Sequence, residues 1–244
     1  MERYKAYSTH LKELYGEKVY KLPVNLPVTC PNRMDGDGCT FCGGVGTGFE
    51  AMNSEVSVSE QLNATKGKIT KRYKAKKFIA YFQNYTNTFL PVDKFEKYLV
   101  EAAQTEDIVG ISVSTRPDCI NEEVCKLIKS YSDKYYVCVE LGLQTSNDKT
   151  GMLINRGYTS AQFTKAVLLL NKYKIDVVTH LMVGLPNENF DDIKNSVDFI
   201  NSHDIQGIKI HSTYVIKNTV LADMYFKGEY IPISLDYYLE CLTY

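Results

Sequence analysis

Tryptophan is absent from the 244 residues, and no apolar run is long enough to span a bilayer. The N-terminal stretch MERYKAYSTHLKELYGEK is polar and charged, so it is not expected to act as a secretory signal. Neither sign of charge dominates: 28 Lys and Arg stand against 29 Asp and Glu, for a net charge of −1. That balance predicts an ordinary soluble surface with no global attraction to nucleic acid or to an anionic membrane. No linker, repeat or low-complexity segment interrupts the chain, and its 44% apolar content is enough for a real core. Seven cysteines is an odd number, and a chain of this size does not need disulfide staples. Unpaired thiols without an export signal point to a reducing, cytoplasmic setting.

Among what is there, Cys30, Cys39 and Cys42 carry the most information. They sit in VTCPNRMDGDGCTFCGG, directly after an apolar extended run, in a loop built from Pro31, Asn32, Gly36, Asp37 and Gly38. Pro, Asn, Asp and Gly make this a loop and not a core strand, so the three thiols are more than small buried apolar groups. Thiolates are soft ligands for zinc or for iron–sulfur clusters. A structural zinc needs four ligands, and the missing one would have to come from His10, Cys119 or His203. Three sulfurs without a nearby fourth suggest instead a metal centre with one position left for a non-protein ligand.

Beyond this loop, short β-branched runs alternate with stretches of helical period. Strands are predicted at 18–24, 77–82, 108–114, 135–141, 176–183 and 207–215, and helices at 57–74, 92–104, 121–132, 159–173 and 189–202. Ser57 with Glu60 has capping-box spacing, Thr159 or Ser160 can cap the helix that follows it, and Ser234 can cap a last helix, DYYLECLTY. Six strands separated by helices imply parallel β/α units with right-handed crossovers. A doubly wound sheet and a partial β/α barrel both satisfy this. The cysteine loop stands where a Gly-x-Gly-x-x-Gly would follow the first strand, which favours an α/β partial (β/α)6 barrel with outer helices. The division expected is an extension at 1–17, a core at 18–230 and the start of a C-terminal helix at 231–244, where the chain may be cut short of its natural end.

A barrel gathers its chemistry at the C-terminal ends of its strands, and polar residues cluster there. They are Gln83 to Thr88, Ser114 to Asp118, Gln144 and Thr145, His180, and Lys209 with His211. Glu140 and Lys209 lie inside apolar strands, where burial is costly unless they are paired. The run Lys66 to Lys77 holds seven positive charges, suited to a solvated helix face or to an RNA phosphate edge.

The Cys-x8-Cys-x2-Cys pattern with Phe41 before its last cysteine resembles the cluster loop of radical S-adenosylmethionine (radical SAM) enzymes. STRPD (114–118), VELGLQT (139–145), NRGY (155–158), HLMVGLP (180–186) and KIHSTYVIKNT (209–219) resemble the branch that contains the elongator catalytic subunit and a group of uncharacterised bacterial relatives. The likeness runs from about Lys18 to about Tyr230. It implies a [4Fe–4S] cluster on Cys30, Cys39 and Cys42, whose fourth iron takes the amino and carboxylate groups of SAM. It further implies reductive cleavage of SAM to methionine and a 5′-deoxyadenosyl radical, with the electron from an external donor of flavodoxin or ferredoxin type. Gln144 and Arg156 then match SAM contacts, with Arg156 at the carboxylate. Tyr85, Thr86, Ser114 and His180 match neighbouring contact positions, and Phe41 would pack near the adenine. Lys209 and His211 would line the deeper cavity as the catalytic candidates. The branch points to tRNA as substrate, through a wobble uridine, with the Lys66–Lys77 run as its contact. A small-molecule substrate and a zinc-stabilised RNA-binding module without catalysis are the alternatives.

Overall fold

A computed structural model describes residues 4–34, 36, 38–44 and 51–244; Asp37 of the cysteine loop lies outside the described residues. Six strands form one sheet in sequence order: β1 (Val19–Val24), β2 (Lys77–Phe82), β3 (Ile108–Thr115), β4 (Tyr136–Gln144), β5 (Asp176–Val183) and β6 (Gly207–Ser212). Every neighbouring pair is parallel. The helices are α1 (Tyr7–Tyr15), α2 (Val58–Tyr73), α3 (Val92–Gln104), α4 (Glu122–Lys129), α5 (Asp148–Leu153), α6 (Ser160–Lys172), α7 (Phe190–Asn201), α8 (Val220–Phe226) and α9 (Leu235–Leu242).

Local sequence sets these boundaries. Ser57 and Glu60 form the expected capping box on α2, and Thr159, not Ser160, caps α6 with Gln162 as its partner. Ser234 accepts the Tyr237 amide at the start of α9. The predicted last strand is shorter than expected, ending at Ser212 instead of residue 215.

Because strand side chains alternate, each strand has two fates. Leu22 and Val24, Phe78, Ala80 and Phe82, Ile111 and Val113, and Val137, Val139, Leu141 and Leu143 point outward. There they meet Val58 and Leu62 of α2, Phe95 and Leu99 of α3, and Phe163, Val167 and Leu170 of α6 in one apolar core. At about 1.5–3 kcal/mol for each fully buried large side chain, this outer layer supplies the driving force for the fold. The inward set is different: Lys21, Tyr81, Ser112, Ser114, Glu140, His180 and Lys209.

Those inward residues show that the sheet is curled. Four strand spacings separate β2 from β6, about 19 Å in a flat sheet, yet the Lys209 Nζ lies 3.1 Å from the Tyr81 hydroxyl. Lys21 on one edge strand and Lys209 on the other both reach Glu140. The molecule is therefore an open half-barrel, as the strand pattern predicts.

α1 closes the N-terminal end. Leu11 packs on the inward-facing Val19 and Ile79, and the Tyr15 hydroxyl bonds the Val109 carbonyl at 2.9 Å. With that end filled, the polar residues of the strands face toward their C-terminal ends.

Candidate active site

At the centre of the barrel lies Glu140, 1% exposed. Its Oε1 accepts Lys21 Nζ and, at 3.1 Å, the Ser112 hydroxyl. Its Oε2 accepts Tyr81 at 2.7 Å, His180 Nε2 at 2.7 Å and Lys209 at 3.4 Å. Burial disfavours its charge, but the His180 hydrogen bond and the two ammonium groups outweigh that and hold Glu140 well below the usual carboxylate range. An ionised carboxylate only accepts, so Nε2 of His180 carries the proton. Burial keeps that imidazole neutral despite its anionic neighbour. Two lysines facing one carboxylate leave the chamber with a net positive charge.

His211 stands beside this group, with its ring 5.0 Å from that of His180. Burial, then His180 and Lys209, lowers it to about 4, so it too is neutral near pH 7. Its Nε2 is buried with no hydrogen-bond partner among the described residues. A polar atom left unpaired in a buried wall is costly, and a ligand in the chamber would satisfy it.

The cysteine loop lies beyond the strand ends and is held by its own Arg33 and by the loop after α5. A 3-10 turn over Pro31–Arg33 follows Cys30, and Arg33 donates to the carbonyls of Cys42 and Gly43 at 2.6 and 2.9 Å. The NRGY segment clamps it from below. Asn155 Nδ2 bonds the Gly38 carbonyl at 2.8 Å, Asn32 Nδ2 bonds the Asn155 carbonyl at 2.5 Å, and Thr40 N bonds the Ile154 carbonyl at 2.9 Å. Gly157 is required here. It has φ 80°, and a Cβ would come within 2.5 Å of Asn32 Oδ1.

All three cysteines are free thiols. Burial, then Cys42, pushes the Cys39 thiol up to about 12; Arg116 pulls it down and Cys30 adds to the rise. The three sulfurs therefore lie within electrostatic reach of one another. Among the described residues, no three His, Cys, Asp or Glu side chains converge closely enough to hold a single metal ion. A cluster makes a different demand, one thiolate per iron, so its sulfurs stand farther apart than the ligands of one ion. The all-sulfur donor set on a preformed loop fits an iron–sulfur centre, whose positive irons would ionise the buried thiol. It fits zinc poorly. His10 lies against Tyr136 at the start of β4, and His203 bonds Thr164 at 2.9 Å just after α7, both at the opposite end of the barrel. Cys119 alone of the candidate fourth ligands is close, within electrostatic reach of Cys30.

A cavity of about 330 Å3 joins the loop to the barrel interior, at the small end of ligand sites. Phe41 and Cys42 of the loop, Gln144, His180 and Met182 of β4 and β5, and Lys209 and His211 of β6 are among the residues that line it. Phe41 also packs on Ile154, Met182 and Leu185. The Tyr158 hydroxyl bonds Gln144 Oε1 at 2.9 Å and so orients it.

Four of the residues expected to contact SAM are not among those lining this cavity. Arg156 is the first of them. Its guanidinium is 1% exposed and already committed, to the Tyr158, Leu143 and Thr145 carbonyls at 2.9, 2.8 and 2.5 Å and to Asp148 at 2.7 Å. It ties the end of β4 to the loop that braces the cysteines. Ser114 is buried with its hydroxyl 3.1 Å from Tyr81, and Thr86 is 1% exposed. Tyr85 lines a separate depression and bonds the Gly44 carbonyl at 2.6 Å. Lys21 and Tyr81 were missed, although Lys21 inside the apolar run KVYKLPV carried the same signal as Glu140. The basic run is also displaced. It occupies the C-terminal half of α2 and the start of β2, the end of the barrel far from the cavity, and Lys66 and Lys77 pair with Asp107 and Glu17.

The fold and site define a class, and sequence comparison agrees. The radical SAM superfamily profile matches residues 24–200, and the radical SAM C-terminal domain matches 205–244. The chain belongs to the radical SAM superfamily, which supports an enzyme. It is 36% identical over 243 residues to the uncharacterized protein YtqA of Bacillus subtilis, covering 98% of this chain and 75% of that one. It is 31% identical over 140 residues to the tRNA uridine(34) acetyltransferase of Methanocaldococcus jannaschii, covering 56% of this chain and 25% of that one. Among solved structures, Elp3 of Methanocaldococcus infernus superposes with a TM-score of 0.66 at 22% identity, over 88% of this chain and 50% of that one. Coproporphyrinogen III oxidase of Escherichia coli, a radical SAM enzyme, gives 0.60 at 14% identity, over 98% of this chain and 54% of that one. The chain thus spans about half the length of these two solved structures. No described helix is long and apolar enough to cross a membrane.

Proposed function

We propose that this chain is a cytoplasmic enzyme that reductively cleaves S-adenosylmethionine at a [4Fe–4S] cluster and directs the resulting radical to a wobble uridine of tRNA. The observation that carries the first part is the placement of the cysteine loop. It stands beyond the C-terminal ends of the strands, and Cys42 lines one cavity with Gln144, His180, Lys209 and His211. Cys30, Cys39 and Cys42 would hold the cluster, and Phe41, Gln144 and His180 would bind SAM. When bound, cluster and SAM together supply one-electron chemistry that yields methionine and a 5′-deoxyadenosyl radical. The protein's own part is to orient and to exclude water. Phe41 and Met182 present an apolar wall to the adenine side, while Lys209 and the unpartnered Nε2 of His211 face the substrate side.

The tRNA assignment is supported by the relatives that act on uridine 34 and by the Elp3 likeness. A tRNA would approach through the barrel mouth and not through the Lys66–Lys77 run, which lies at the other end. An external donor of flavodoxin or ferredoxin type would deliver the electron to the exposed side of the cysteine loop. Anaerobically reconstituted protein given dithionite and SAM should release 5′-deoxyadenosine; a fully loaded cluster that releases none contradicts radical catalysis. Nucleosides from tRNA of cells with and without the gene should differ at the wobble uridine, and identical profiles remove the tRNA assignment alone.

A further inference from the structure

We propose that Arg116 and Asp118 form a built-in electrostatic control on the reduction potential of the centre held by Cys30, Cys39 and Cys42; this rests on the cluster reading above. Arg116 follows β3, and only 10% of its side chain is exposed. Its guanidinium is fixed on every side. Nε and one Nη form a fork on the two carboxylate oxygens of Asp118 at 2.9 and 2.8 Å. The other Nη donates to the Arg156 carbonyl at 2.9 Å and to the Cys30 sulfur at 3.6 Å. The face of the guanidinium stacks on the Tyr158 ring at 4.8 Å.

This arrangement exceeds what bracing a loop requires. Arg156 O would be satisfied by any donor, and Asn32 already links the cysteine loop to Asn155. What Arg116 adds is a charged N–H aimed at a ligand sulfur, with its counter-ion on the far side. The positive end of the pair faces Cys30 and the negative end faces away. Asn32 places a second, neutral donor 3.6 Å from the Cys39 sulfur. Hydrogen bonds to sulfur and nearby net charge are the main protein controls on cluster potential. Reduction adds one negative charge to the centre, so a cation at Cys30 favours the reduced state and Asp118 opposes it.

The two residues must therefore act with opposite sign, which simple packing roles would not produce. The test uses the full chain, reconstituted anaerobically, with iron and sulfide counted and the midpoint potential read by electron paramagnetic resonance during a reductive titration. Arg116→Gln should make reduction at least tenfold less favourable, about 59 mV lower for one electron. Asp118→Asn keeps the fork's shape, removes the opposing charge and should raise the potential. Opposite shifts at equal cluster content support the proposal; unchanged potentials, or shifts in the same direction, overturn it. If Arg116→Gln takes up no cluster, Asp118→Asn decides alone: a rise supports the proposal, and no change or a fall overturns it. A wild-type chain that takes up no cluster overturns the underlying reading, and this is known before any variant is compared.

Discussion

Glu140→Gln is the perturbation for which the structure gives the clearest magnitude. The carboxylate has no exposed side-chain surface and receives Lys21, Lys209, His180, Tyr81 and Ser112. A glutamine keeps the volume but leaves two ammonium groups facing each other across the chamber without a counter-charge. Breaking a buried ion pair costs about 3–5 kcal/mol. Because the side chains of Lys21 and Lys209 are 22% and 39% exposed, water screens part of this, and the lower end, about 3 kcal/mol, is expected at pH 7. In a chain of this size that lowers Tm by roughly 6–12 °C. The pH dependence gives a second check. Glu140 is ionised well below 4.5 in the folded state, so its contribution is complete above the unfolded pKa and is lost as pH falls through the lower folded value. The gap between wild type and Glu140→Gln should therefore be full at neutral pH and close progressively below pH 4.5. Thermal unfolding followed by circular dichroism across that range measures both. A Tm within about 2 °C of wild type at pH 7 would refute the reasoning.

Arg156→Ala takes a charged donor from three carbonyls and leaves Asp148 with only its Ser160 bonds, so it should destabilise the chain by about 3 kcal/mol, measured by denaturant unfolding. Whatever fraction stays folded should bind SAM at near wild-type affinity in calorimetry; selective loss of SAM binding would restore the carboxylate role. Gly157→Ala should cost about 1–3 kcal/mol through its positive φ and should reduce iron incorporation per folded chain. His211→Phe removes a ring nitrogen that has no partner, so unfolding should shift by less than about 1 kcal/mol while turnover falls. A large loss of stability would show that His211 is bonded within the fold.

Much of the fold is legible in the chain because its signals are local. The strands KFIAYF and DVVTHLMV are apolar, bounded by turns, and fall at the predicted residues. α1 is not legible. Ala6 precedes it and offers no side-chain cap, and its role depends on the inner faces of β1 and β2, which only closure of the sheet brings together. The site divides in the same way. The cysteines announce themselves by chemistry, and Glu140 by a charge inside an apolar run. Arg156 is ambiguous in the sequence, because a guanidinium fork fits a ligand carboxylate and a set of backbone carbonyls equally well. The strand-end register that commits it to Leu143 and Thr145 is not written in NRGY. The place of the basic run is set by topology and not by its own residues: a helix after a parallel strand runs back, carrying its C-terminal half away from the barrel mouth.

The account turns on whether three thiols hold a cluster with one iron left for SAM. The most direct measurement is the Mössbauer spectrum of iron-reconstituted protein, recorded before and after SAM is added, beside Cys30→Ala, Cys39→Ala and Cys42→Ala variants. One iron site should change its environment when SAM binds, and each variant should lose the cluster signal while the barrel stays folded. A spectrum indifferent to SAM, or a cluster that persists without any one of these cysteines, would contradict it.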